Sequence, residues 1–176
     1  TLHDLFDEYG QDIYINDRIE SINLNGLLTN KSINYLESLF KDISVIPFGI
    51  SQGSVKELYV SDNGLSELPN EIGEIKSLET LDISRNNISY LPDTMLKLTA
   101  LQSLNLSSSG ILEVPQWIDN FKLQELFLDN LFLDDKNLPN LEKIKSLRTL
   151  SLGYNDLQQF PEWIRKLTNV TRLQVN

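Results

Sequence analysis

The chain has 176 residues, 40% of them apolar and 23% charged, with a formal net charge of −10 and no cysteine. That composition supports a packed core and excludes a disordered chain, a disulfide framework and a thiolate metal site. The acidity argues against nucleic acid or anionic membrane as a target and for a protein or peptide partner that is neutral or basic, and the lack of any ~18-residue apolar run excludes a membrane-inserted helix.

Residues 1–18 hold Leu2, Leu5, Phe6, Tyr9, Ile13, Tyr14 and Ile15 among acids, as expected of an N-terminal cap over an otherwise exposed layer. Residues 19–54 predict an irregular first repeat. Ile19, Ile22 and Leu24 have strand spacing, and Asn30 is placed to cap a helix over about 31–41 with Ile33, Leu36 and Phe40 on one face. A competing division takes Ile33, Leu36, Ile43, Ile46, Pro47, Ile50 and Val55 as a degenerate repeat, but it puts Ser38 where an apolar strand residue is needed.

From Val55 onward the pattern is periodic. Val55, Leu58, Val60, Asn63, Leu65, Leu68, Pro69, Ile72 and Ile75 are followed by Leu78, Leu81, Ile83, Asn86, Ile88, Leu91, Pro92, Met95 and Leu98. The series recurs from Leu101 and from Leu147, less regularly from Leu123, and partly from Val170 through Leu173 and Val175. The starts at 55, 78, 101, 123, 147 and 170 are 23, 23, 22, 24 and 23 residues apart. Within a repeat, apolar positions 4 and 6 alternate as a strand requires. Asn at position 9 carries a donor and an acceptor for backbone groups at a turn. Pro at position 15 ends strand pairing, and apolar positions 18 and 21 have helical spacing.

These residues resemble the leucine-rich-repeat family in its form LxxLxLxxNxLxxLPxxIxxLxx, convincingly over 55–176. The resemblance implies an α/β fold: a right-handed solenoid, arched like a horseshoe, with a parallel β-sheet on its concave face and short helices or 3₁₀ turns on its convex face. Residues 55–169 are then the regular repeats and 170–176 an incomplete terminal repeat, which predicts continuation of the solenoid beyond Asn176. The pass from Leu123 departs from the form. Leu131 replaces Asn and Pro139 arrives two residues late, after Asp134-Asp135-Lys136-Asn137, so a longer and more helical convex segment is expected there. Ser109 also replaces Asn and can make only part of its hydrogen bonds.

Positions 3, 5, 7 and 8 of each repeat face out of the expected sheet. There, Tyr59, Phe127 and Tyr154 are aromatics without a core duty and are candidate partner anchors. Glu57, Asp62, Asp82, Glu125 and Asp129 make the face acidic against Arg85 and Arg172, around a floor of Ser84, Ser103, Asn105, Ser107 and Ser108. The candidate partner-binding set is Tyr59, Phe127, Tyr154, Glu57, Asp82, Arg85, Asn105, Glu125 and Asp129. Lys76, Lys122 and Lys145 recur on the opposite side, and Trp117 and Trp163 are expected to cover the convex core.

No catalytic constellation is visible. His3 is the sole histidine, which rules out a histidine-based triad or metal cluster, and no glycine-rich phosphate loop is present. No cofactor or metal is expected; Asp134 and Asp135 alone fall short of a calcium shell. The expected function is a non-catalytic protein–protein interaction module, monomeric or weakly associating, that binds on the concave face. The alternatives are recognition of carbohydrate or cell envelope, and the recognition domain of an enzyme whose catalytic part lies outside residues 1–176. Both a cytoplasmic and a bacterial envelope or secreted setting fit the composition.

Overall fold

The computed structural model describes residues 21–28, 35–37, 39–40 and 55–175. Seven three-residue strands form one wholly parallel sheet in chain order: β1 (Ser21–Asn23), β2 (Glu57–Tyr59), β3 (Thr80–Asp82), β4 (Ser103–Asn105), β5 (Glu125–Phe127), β6 (Thr149–Ser151) and β7 (Arg172–Gln174). Parallel neighbours need a crossover between strands, and here each crossover is the remainder of one repeat. The register never slips. Ile22, Leu58, Leu81, Leu104, Leu126, Leu150 and Leu173 form one row, and the first six are wholly buried. The position-6 residues Leu24, Val60, Ile83, Leu106, Leu128 and Leu152 are buried beside them. Each such side chain contributes about 1.5–3 kcal/mol by leaving water, and a one-residue slip would expose the whole row.

β1 to β6 each end in the same sharp turn, and at three of these turns asparagine ties one repeat to the one before it. The Asn86 Nδ2 donates to the carbonyls of Val60 and Ile83, while its Oδ1 accepts the amides of Asn63 and Leu65. Asn155 repeats the pattern with Leu128 and Leu152 as acceptors and Leu131 and Leu133 as donors. Asn63 does the same towards Leu24, Val60 and the Leu28 amide. Between Asn86 and Asn155 the ladder is interrupted. Leu131 is buried as an apolar filler, and the buried Ser109 hydroxyl has no hydrogen-bond partner, being too short to span two repeats.

The return limb follows from proline. Pro69, Pro92, Pro115 and Pro161 sit at φ of −67°, −70°, −67° and −63°, each opening a 3₁₀ turn: Asn70–Glu74, Asp93–Lys97, Gln116–Asn120 and Glu162–Lys166. Proline suits the first residues of such a turn because its missing N–H would have no partner there. Ile72, Met95 and Ile118 plug the turns into the core. Gly73 allows the first two turns to touch: a Cβ at that position would run into the backbone carbonyl of Thr94. Trp163 is buried, and the half-buried Trp117 packs edge-on against Phe121 with ring centroids 5.9 Å apart while its Nε1 donates to Asp93, so both tryptophans cover the convex side.

The segment before Pro139 is not the longer helix expected from its length. Asp134 and Asn137 cap each other: the Asp134 Oδ1 accepts the Lys136 and Asn137 amides, and the Asn137 Oδ1 accepts the Asp134 amide. A single bond from the Leu138 amide to the Asp134 carbonyl closes one turn. Pro139 stops it there, since it disfavours helical geometry at the preceding residue and has no N–H to continue the ladder. Of the helix expected over 31–41, residues 35–37 and 39–40 are helical, and Leu36, Leu39 and Phe40 are buried. The expected cap over 1–18, together with His3, Asn30, Ile33 and Asn176, lies outside the described residues. No helix among the described residues is long and apolar enough to cross a membrane.

Two substitutions test this account by urea denaturation. Gly73→Ala forces apart the first two 3₁₀ turns and is expected to lower stability by about 1–3 kcal/mol; an unchanged midpoint would show that the contact relaxes freely. Ser109→Asn restores a rung facing the carbonyls of Ile83 and Leu106 and is expected to raise stability by about 1 kcal/mol.

Candidate functional site

The strict register lines up the outward positions. Position 3 gives the row Ser21, Glu57, Thr80, Ser103, Glu125, Thr149 and Arg172, and position 5 gives Asn23, Tyr59, Asp82, Asn105, Phe127, Ser151 and Gln174. Parallel strands lie ~4.8 Å apart, so neighbours in a row are in side-chain contact range. Much of the acidity of this face is used to join neighbouring repeats. The Asp82 Oδ1 accepts the Ser84 amide at 2.9 Å and its Oδ2 accepts the Asn105 Nδ2 at 3.2 Å. The Asn105 Oδ1 accepts the Ser107 amide at 3.1 Å, and the Ser107 hydroxyl donates to Asp129 Oδ2 at 3.1 Å. Asp129 Oδ1 then takes the Ser151 hydroxyl at 2.6 Å and the Gly153 amide at 2.7 Å. A continuous polar chain thus crosses four repeats. At its border, Ser103 donates to Glu125 and Tyr59 to Glu57. Burial first, then the charge and hydrogen bond of Glu57, push the Tyr59 phenol above the usual tyrosine range.

Position 8 has a distinct backbone. Gly26, Asp62, Arg85, Ser108, Asn130 and Tyr154 all have positive φ, between 53° and 72°. Glycine, asparagine and aspartate accept this left-handed region readily, whereas a bulky residue is strained there. Arg85 and Tyr154 are nevertheless held in it with their side chains in solvent, Tyr154 at 70% exposure. No partner for the Arg85 guanidinium is found among the described residues. The two residues border an open recess of about 470 Å³ whose remaining lining is Ser84, Asn105, Ser107, Ser108, Asp129 and Asn130.

The repeat geometry agrees with comparison to known proteins. Residues 54–176 match the model of the leucine-rich repeat region. The chain belongs to the leucine-rich-repeat family. No curated protein sequence matches it. Among solved structures, a leucine-rich-repeat protein of Leptospira interrogans is similar at 23% identity and a TM-score of 0.69, over 99% of this chain and 45% of the other. The leucine-rich-repeat ectodomain of the Arabidopsis receptor kinase HAESA, solved in complex with an extended IDA peptide hormone, is 30% identical with a TM-score of 0.60, over 76% of this chain and 23% of that one. An internalin of Listeria monocytogenes gives 17% and 0.59 over 89% and 47%. The chain therefore spans less than half the length of each.

Within this leucine-rich-repeat sheet, the nine residues singled out from sequence separate into groups. Arg85, Asn105, Asp129 and Tyr154 come together around the recess. Asp82 is joined to it through Asn105. Glu57 and Tyr59 lie at the β2 end, and Glu125 and Phe127 lie on β5, with Tyr59 and Phe127 half-buried against their neighbours. Sequence reasoning overlooked Leu112 and Phe132, which are 77% and 75% exposed. The available signal was Phe132 at position 10, where other repeats carry Gly64 and Gly110.

If the left-handed backbone at position 8 is set by the repeat and not by its occupant, glycine there should relieve strain. Arg85→Gly and Tyr154→Gly are each expected to raise the unfolding free energy by about 0.5–1 kcal/mol, the relief of ~1–2 kcal/mol being partly offset by the freer unfolded chain. Thermal and urea midpoints check this, and a loss of stability would show that these side chains serve the fold.

Proposed function

We propose that this leucine-rich-repeat chain is a non-catalytic recognition module that receives a neutral or basic protein segment on its concave sheet. The observation that carries the reading is the recess bounded by Arg85 and Tyr154 over a hydrogen-bonded floor of Asn105, Ser107 and Asp129. Its polar groups are already oriented by one another, so little ordering cost falls on binding. Two strained, solvent-exposed side chains at its rim contribute little to folding and are available as contacts. Glu57 and Glu125 border the face with carboxylates for basic groups of the partner. The similar HAESA ectodomain was solved in complex with a peptide hormone, which supports a peptide or protein as ligand.

A polar floor beside an exposed tyrosine also suits a sugar ring, which makes carbohydrate recognition the second reading. A recognition part of an enzyme whose catalytic part lies outside residues 1–176 is the third; the similar HAESA ectodomain belongs to a receptor kinase. The test is a Tyr59→Ala/Phe127→Ala/Tyr154→Ala variant, confirmed as folded by its unfolding curve, compared with the parent in capture of proteins from lysate and in binding to a glycan array. Loss of a specific protein at parent stability is the expected result. Undiminished protein capture would overturn the concave reading, and selective glycan binding would favour the second.

A further inference from the structure

Phe132 is an uneconomical residue among those described. It stands at position 10, with φ of 54°. Gly64 and Gly110 occupy that position in other repeats at φ of 66° and 82°. A Cβ at Gly64 would meet nothing within 4 Å, whereas one at Gly110 would come within 3.4 Å of the Asn87 backbone. Phe132 combines a left-handed backbone, strained for a bulky residue, with a ring 75% exposed. Burial of the ring therefore returns little against either penalty. In the preceding repeat Leu112, at position 12, is 77% exposed on the same flank, where the chain leaves the sheet. Neither residue lines the concave recess.

The surroundings of this apolar pair are acidic. Asp156 takes position 10 in the repeat after Phe132, and Asp134 takes position 12 in the repeat after Leu112. Glu113 follows Leu112, and Asp135 shares the turn with Asp134 against one cation, Lys136. The turn is held in place from both sides. Asp134 caps the Lys136 and Asn137 amides, while the Asp135 Oδ1 accepts the Gln158 amide of the next repeat at 3.1 Å. Apolar and acidic groups therefore alternate on a braced surface that is separate from the concave sheet.

We infer that this lateral flank, centred on Leu112 and Phe132, is a second docking surface for a protein segment in which lysine or arginine alternates with large apolar residues. Apolar side chains of the segment cover Leu112 and Phe132 while its cations meet Glu113, Asp135 and Asp156. The inference does not depend on the concave site.

The test is fluorescence anisotropy with a labelled short peptide of alternating Lys and Leu or Trp, and with its Glu-for-Lys counterpart as control. The expected result is binding of the cationic peptide alone, weakened about tenfold in Leu112→Ser/Phe132→Gly, as loss of an apolar anchor pair implies. Phe132→Gly alone keeps or raises the unfolding midpoint, so weaker binding by that variant cannot be ascribed to misfolding. Tyr90→Ala, an exposed aromatic outside both faces, binds the cationic peptide as the parent does, and a Tyr59→Ala/Phe127→Ala variant reports any share held on the concave face. No binding, equal binding of the two peptides, or parent-like affinity in the Leu112/Phe132 variant would overturn the inference and leave the concave reading standing. Loss confined to the Tyr59/Phe127 variant would overturn it in favour of the concave face.

Discussion

The structure depends on a reversal that must be completed immediately after a strand of only three residues. Three residues of parallel pairing hold few hydrogen bonds, and the chain must then turn away without leaving its buried amides and carbonyls unpaired. Two adjacent positions achieve this. A residue with positive φ swings the chain off the sheet, and an asparagine reaches back to the carbonyls on which two successive strands end. Because the asparagine bonds to its own repeat and to the one before, the solution for one turn also fixes the stacking of two. That bridging reinforces the register at Asn63, Asn86 and Asn155, while across Ser109 and Leu131 the same register is carried by strand pairing and the buried leucine rows.

The same logic explains the character of the concave face. Asp82 and Asp129 each accept bonds from the neighbouring repeat and become part of the stack. The surface therefore does not present these carboxylates loose, although their charge remains. What it presents instead is a network of oriented hydroxyls and amides, with Arg85 and Tyr154 standing above it.

Much of this was legible in the sequence because the repeat aligns chemistry with position. The leucine and isoleucine spacing identified the strands, the asparagines at 63, 86 and 155 identified the turns, and the prolines identified the return limb. The partners of Asp129 were not legible, since Ser151 and Gly153 lie a full repeat away and their approach depends on register at the level of single atoms. The positive φ of position 8 was hidden for a different reason. Gly26, Asp62 and Asn130 suggest it, but Arg85 and Tyr154 do not, and only the shared backbone shows that they obey the same constraint. Phe132 was missed because an aromatic in an otherwise apolar run, Leu131-Phe132-Leu133, reads as core, whereas its two neighbours point inward and it does not. The segment at 134–138 looked helical by length, but reciprocal capping and Pro139 confine it to one turn.

The left-handed column also bears on how such a protein changes. Six equivalent sockets hold glycine, aspartate, arginine, serine, asparagine and tyrosine on nearly one backbone geometry. None of these side chains is required to close the core, and those of Arg85, Ser108, Asn130 and Tyr154 line the open recess. Exchange of one occupant for another costs about 1 kcal/mol of local strain at most positions and leaves the neighbouring sockets where they were. The solenoid is in this sense a rack of interchangeable side chains, whose outward chemistry can be rewritten one position at a time while its hydrophobic interior stays the same.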